Sequence, residues 1–90
     1  MMGMSGQSSE SGEQFVTALR EQKRRILAAL AEDATIPATP ILRDDEILSY
    51  EEYVTLVYEL HHVHLPELRA DGVVEFDRYK DEVSRGERSR

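Results

Sequence analysis

Residues 60–77 read LHHVHLPELRADGVVEFD, and the fold turns on how this run divides. Asp71-Gly72 ends a helix, because glycine takes the left-handed backbone that closes a last turn without a Cβ clash. Val73-Val74-Glu75-Phe76 follows at once with the β-branched and aromatic composition of a strand. Val73 to Asp77 is therefore expected as a strand, Arg78 to Asp81 as a turn, and Glu82 to Ser84 as the returning strand of a hairpin.

Upstream, Ser49-Tyr50-Glu51-Glu52 has the S-x-x-E pattern of a capping box, which starts a helix at Tyr50. On a wheel of about 100° per residue, Tyr53, Val57, Leu60, His64 and Leu68 share one face and form the expected core of this helix. Leu56 and Val63 flank that face on one side, Val54 and His61 on the other. So wide an apolar arc calls for burial on two sides, between the first helix and the sheet or partly against another subunit. Pro66 has no N–H to give to His62, so a kink is expected near His62 to Leu65.

A long helix running through one glycine into a hairpin is the local grammar of a winged helix-turn-helix domain, α+β and mainly α, with a C-terminal β-hairpin wing. The same run resembles the signature of a haloarchaeal winged-helix family of unassigned function. Its members carry a similar L-H-H-V-H-L-P-x-L run, then G-V-V-E and an aromatic-Asp pair, and continue with Val-Ser-Arg-Gly, as in Val83-Ser84-Arg85-Gly86. The likeness covers the C-terminal third strongly and the first helix weakly. It implies a fold and no activity.

Working outward, Phe15, Leu19, Gln22/Lys23, Ile26 and Leu30 recur at helical spacing within Glu13 to Glu32, with Val16 and Leu27 widening the stripe. Arg20, Glu21, Arg24 and Arg25 make the expected solvated face. Residues 1–12 are Met, Gly, Ser and Gln with one Glu, and are expected as a disordered tail. Pro37 and Pro40 end the first helix and force extended backbone over Asp33 to Pro40. Ile41-Leu42 reads as a short strand or the start of a short helix, and Asp44-Asp45-Glu46 as a cap for a turn. One domain is thus expected over residues 13–86, with residues 87–90 as a frayed tail.

Ninety residues bury only roughly 60–65% of the surface that the unfolded chain exposes, so the core is thin and a partner surface would help. No cysteine is present, which excludes a disulfide framework, a thiolate nucleophile and a cysteine zinc site. The longest apolar run, Ile26 to Ala31, is far short of a membrane span, and the first residues lack the order of a signal peptide. The expectation is a soluble cytoplasmic protein with no membrane partner. Eighteen acidic residues against eleven basic ones give a formal charge of −7, and only Lys23 and Lys80 among the basic residues are lysine. An acidic, lysine-poor surface suits molar salt, and the resemblance points the same way. At ~1 M salt the Debye length is about 3 Å, so net charge there says little about contact with nucleic acid.

Three histidines within four residues invite a metal reading. His61 and His64 lie a turn apart, but two ligands make no site and no motif supplies a third, so no metal is expected. His64 is expected as a buried ring hydrogen-bonded to backbone, His61 at the core edge and His62 outside. The carboxylate pairs lack a phosphate loop, a nucleophile elbow or a Ser–His pattern beside them. No catalytic residue, cofactor or small-molecule substrate is expected.

Double-stranded DNA is the partner that the fold implies. Tyr50 to Phe76 holds six acidic residues against one basic residue, Arg69, an awkward surface to lay on phosphate. Arg78, Lys80, Arg85 and Arg88 are therefore the expected phosphate contacts, with His62 and Arg69 as readers from the helix. The expected function is a DNA-binding transcription regulator that works mainly by wing and tail. The alternative is a protein–protein interaction module, with a homodimer expected from the excess apolar arc.

Overall fold

The capping box forms: the Ser49 hydroxyl accepts from the Glu52 amide at 3.1 Å, and the Glu52 carboxylate accepts from the Ser49 amide at 2.9 Å. Helix α2 (Tyr50–Glu59) starts there. It runs without a break through a π-helical turn, Leu60–His64, into α3 (Leu65–Ala70). The irregularity expected near Pro66 takes this form. Leu65 donates to the Leu60 carbonyl, five residues back, in the turn just before a residue with no N–H to give. One extra residue in that turn rotates everything after it by about 100° relative to a uniform helix. The innermost residues are therefore Leu56, Leu60, Leu65 and Leu68. Of the face expected from the wheel, Leu60 and Leu68 lie in the core. Val57 and His64 are half-buried, and Tyr53 is 36% exposed.

α3 stops at Asp71-Gly72. Gly72 N–H donates to the Arg69 carbonyl at 3.0 Å and Val73 N–H to the Leu68 carbonyl at 3.1 Å, while Gly72 has φ 78°. This is a Schellman closure, with Val73 and Leu68 supplying its apolar contact. The chain passes directly into β2 (Val74–Asp77), turns over residues 78–81, and returns as β3 (Glu82–Arg85).

A third strand, β1 (Thr35–Pro37), completes an antiparallel sheet in the order β1-β3-β2. Ile36 and Phe76 both face Val83 across the ladder. Ile41-Leu42, expected as a strand or a helix start, is irregular instead. Pro37 is tolerated because β1 is an edge strand, where a missing donor breaks no ladder on the outer side. Gly86 lies so close to the hairpin base that a Cβ there would collide with the Gly72 carbonyl and the Val74 amide.

The structure, a computed structural model, describes residues 2–87, with side chains from residue 12 onward. Helix α1 (Met2–Glu32) begins well ahead of the expected Glu13, so residues 2–12 are helical rather than a disordered tail. No proline interrupts them, and lengthening an existing helix avoids the cost of a new nucleus. Ala18, Gln22, Ile26 and Leu30 are its buried row, and Val16 and Leu27 are exposed rather than part of the core. Ile26, Leu30, Ile36, Leu60, Leu65, Leu68, Val74 and Val83 form one core between helices and sheet, giving an α+β, mainly helical architecture.

Residues 38–49 have no regular structure, and side chains of α1 satisfy the backbone of Ile41, Asp45 and Ile47. The buried Gln22 amide donates to the Ile41 carbonyl at 2.8 Å and accepts from the Ile41 N–H at 2.9 Å, as a strand neighbour would. Gln14 bridges the Ile47 N–H and the Asp45 carbonyl, both at 3.3 Å. Arg25, expected on the solvated face, is turned inward. It holds both Glu46 carboxylate oxygens at 2.7 Å and the Ile41 carbonyl at 2.8 Å.

Candidate nucleic-acid interface

The hairpin tip is stiffened by its own sequence. The Asp77 carboxylate accepts from the amides of Tyr79 at 2.9 Å and Lys80 at 3.2 Å, an Asx turn. Asp81 takes φ 55°, a conformation that Asp tolerates better than most residues, and its carbonyl accepts from the Ala38 amide at 2.9 Å. The tip therefore presents Arg78, Tyr79 and Lys80 outward on a fixed backbone, with the Tyr79 side chain 99% exposed. None of the side chains of Arg69, Arg78 and Lys80 is in an ion pair among the described residues.

Between α3 and β2 runs a groove of about 330 Å³ lined by His61, Leu65, Pro66, Arg69, Phe76 and Arg78. His61 is fixed by a 3.0 Å hydrogen bond between Nε2 and the Ala38 carbonyl, and its ring meets Phe76 edge-on at 5.6 Å. Two guanidinium groups thus border an apolar floor. The neighbouring groove carries the opposite sign at its edge, with Asp71, Glu75 and Glu87 beside Arg69. On the α1 side, Glu67 is held at 2.6 Å by Lys23, which lowers its pKa and offsets its charge.

The expected contact residues do not all gather here. Arg69 and Arg78 line one groove, and Lys80 stands on the same hairpin. Arg85 is drawn to the opposite side. Its Nε donates to the Leu30 carbonyl and Nη2 reaches the Ala31 carbonyl at 3.5 Å. It caps the C-terminus of α1, where unsatisfied carbonyls and the helix dipole favour a cation. In the free protein that guanidinium is engaged away from the tip. Arg88 lies outside the described residues. His62 is exposed and stacked on Tyr58 with centroids 4.2 Å apart, while its neighbour His61 lines the groove. The π turn fixes which of the two enters, and no local signal at His61 or Phe76 marked them.

His64 corrects a second expectation. Both its ring nitrogens are buried without a hydrogen-bond partner among the described residues, and the backbone bond expected for it is made by His61. Burial, with Lys23 nearby, pushes its pKa down. Among the described residues, no three His, Asp or Glu side chains are grouped to hold a metal ion. No described helix is long and apolar enough to cross a membrane. No family model, curated protein or solved structure matches the chain.

Proposed function

We propose that this chain is a winged helix-turn-helix protein that binds double-stranded DNA through its wing and the end of α3, as a cytoplasmic transcription regulator adapted to high salt. The observation that carries this reading is the pairing of Arg69, from the helix end, with Arg78, from the hairpin, along one groove. Guanidinium groups on two elements, in no ion pair among the described residues, suit neighbouring phosphates, and phosphate contacts fix register without reading sequence. Lys80 and the exposed Tyr79 extend that surface to the tip. The order helix, strand, helix, hairpin and the sheet order β1-β3-β2 suit a wing. The irregular segment 38–49 stands where the first helix of a helix-turn-helix pair would lie. That departure weakens base reading by the long helix and leaves the phosphate contacts as the main source of affinity.

A second reading, an interaction module without DNA, is favoured by the exposed row of Tyr50, Val54 and Tyr58 along α2, with the exposed Ile47 just ahead of it. Fluorescence anisotropy with mixed-sequence duplexes, from low to molar KCl, separates the two. Replacing Arg69, Arg78 and Lys80 by Ala should weaken binding to every duplex and flatten the salt slope by roughly one for each phosphate no longer held. A triple variant that binds like the parent removes these residues from the interface. A parent that binds no duplex at any salt leaves the interaction module as the reading.

A further inference from the structure

The outer faces of α1 and α2 carry charges of opposite sign beside exposed apolar residues. On α1, Val16, Arg20, Arg24 and Leu27 follow one another at four- and three-residue spacing, and all four are exposed. Arg20 is in no ion pair among the described residues, and Arg24 meets only Glu21, at 3.0 Å with its own side chain 75% exposed. Glu21 itself is taken up by Arg25 and Arg43, so the net sign of this face is positive. On α2, Tyr50, Val54 and Tyr58 form one column, and Glu51, Thr55 and Glu59 the next. Neither Glu51 nor Glu59 is in an ion pair among the described residues. Single exposed apolar residues need no explanation, but a basic stripe ending in Val16 and Leu27 and an apolar column edged by Glu51 and Glu59 are complementary in charge.

We infer that this chain pairs with a second copy of itself across a two-fold axis, α1 of one protomer lying against α2 of its partner. In that arrangement the Arg20 and Arg24 side chains reach along the column of Glu51 and Glu59, and one apolar end of the α1 stripe, Val16 or Leu27, packs against Val54 and Tyr58. The axis makes each contact twice, as an isologous interface requires. Pairing α2 with α2 would instead set acidic columns against each other. Such a dimer does not depend on DNA binding, because the wing and the groove at Arg69 and Arg78 lie on other elements.

Sedimentation equilibrium of the full chain at moderate and high KCl reads the mass. Each protomer has 10.3 kDa, so a two-fold pair has twice that, about 21 kDa. One variant carries Arg20→Glu and Arg24→Glu, which makes both faces acidic, and another carries Glu51→Arg and Glu59→Arg, which makes both basic. Each alone should raise the dimer Kd at least tenfold with helical circular dichroism unchanged. An equimolar mixture should recover the dimer, because both contacts of the mixed pair then join opposite charges. A parent at monomer mass at 200 µM overturns the inference. So does a mixture that stays monomeric, or an acidic variant that dimerises like the parent while Val54→Asp does not, which would point to α2 meeting α2. If circular dichroism shows Glu51→Arg disturbing the start of α2, Glu59→Arg alone takes its place in the mixture.

Discussion

Glu46 is the residue whose removal should cost this small domain most for its place in an irregular segment. Its side chain is 6% exposed, and both its oxygens sit 2.7 Å from Arg25, whose side chain is 10% exposed. The Arg43 amide adds a third hydrogen bond at 2.9 Å. These hydrogen bonds, led by Arg25, lower the Glu46 pKa from 4.5 to about 2. At about 1.4 kcal/mol per tenfold change in proton affinity, that shift corresponds to about 3 kcal/mol. Glu46→Ala also leaves Arg25 with only Glu21 and the Ile41 carbonyl, and stripping one member of a buried pair costs more than the pair is worth. The expected loss in urea unfolding at pH 7 is about 2–3 kcal/mol, or roughly 10–20 °C in Tm for a domain of this size. Because folding lowers this pKa, the unfolded chain protonates first as pH falls. The contribution is therefore complete above 4.5 and gone by about 2. Parent stability should fall steeply through that window, and Glu46→Ala should fall less. Replacing Arg25 and Glu46 together by Met and Leu should cost less than either change alone. A Glu46→Ala variant within about 0.5 kcal/mol of the parent, or one with the same acid profile, would refute this account of the pair.

Other consequences are as direct. Folding lowers the His64 pKa, so its burden is absent above 6.5 and grows as pH falls below that value. Melting curves from pH 7.5 to 5 should show that loss, and His64→Leu should abolish it and raise stability at pH 7 by about 1 kcal/mol, because it removes two unpartnered nitrogens. Gly72→Ala should cost about 1 kcal/mol through its left-handed backbone. Gly86→Ala should cost more, since backbone rather than a side chain blocks the Cβ, and a paired chemical denaturation series would rank them. Arg85→Ala should lower stability by about 1 kcal/mol through the missing cap on α1, while duplex affinity changes less than in Arg78→Ala.

The parts of this protein legible in its sequence are those whose causes lie within a turn or two of chain. Ser49 and Glu52 satisfy each other three residues apart, Gly72 closes α3 on carbonyls within five residues, and the hairpin follows from composition and a turn bracketed by Asp77 and Asp81. What tertiary structure decided runs across the chain. β1 is three residues with a proline, and only its register against β3 makes it a strand. Arg85 has the composition of a wing cation, yet the C-terminus of α1, 55 residues earlier in the chain, arrives beside it and takes its guanidinium. Arg25 sits on the polar face of its helix, yet Glu46 folds onto it and closes it off from water. The π turn is the mixed case: Pro66 marks the place, but a wheel assumes a uniform turn, so the exchange of His64 for Leu65 in the core follows only from how the helix meets the sheet and α1. Local hydrogen bonds and backbone preferences are written in neighbouring residues, whereas burial and long-range pairing depend on which distant surface arrives, and the chain does not carry that address in any single stretch.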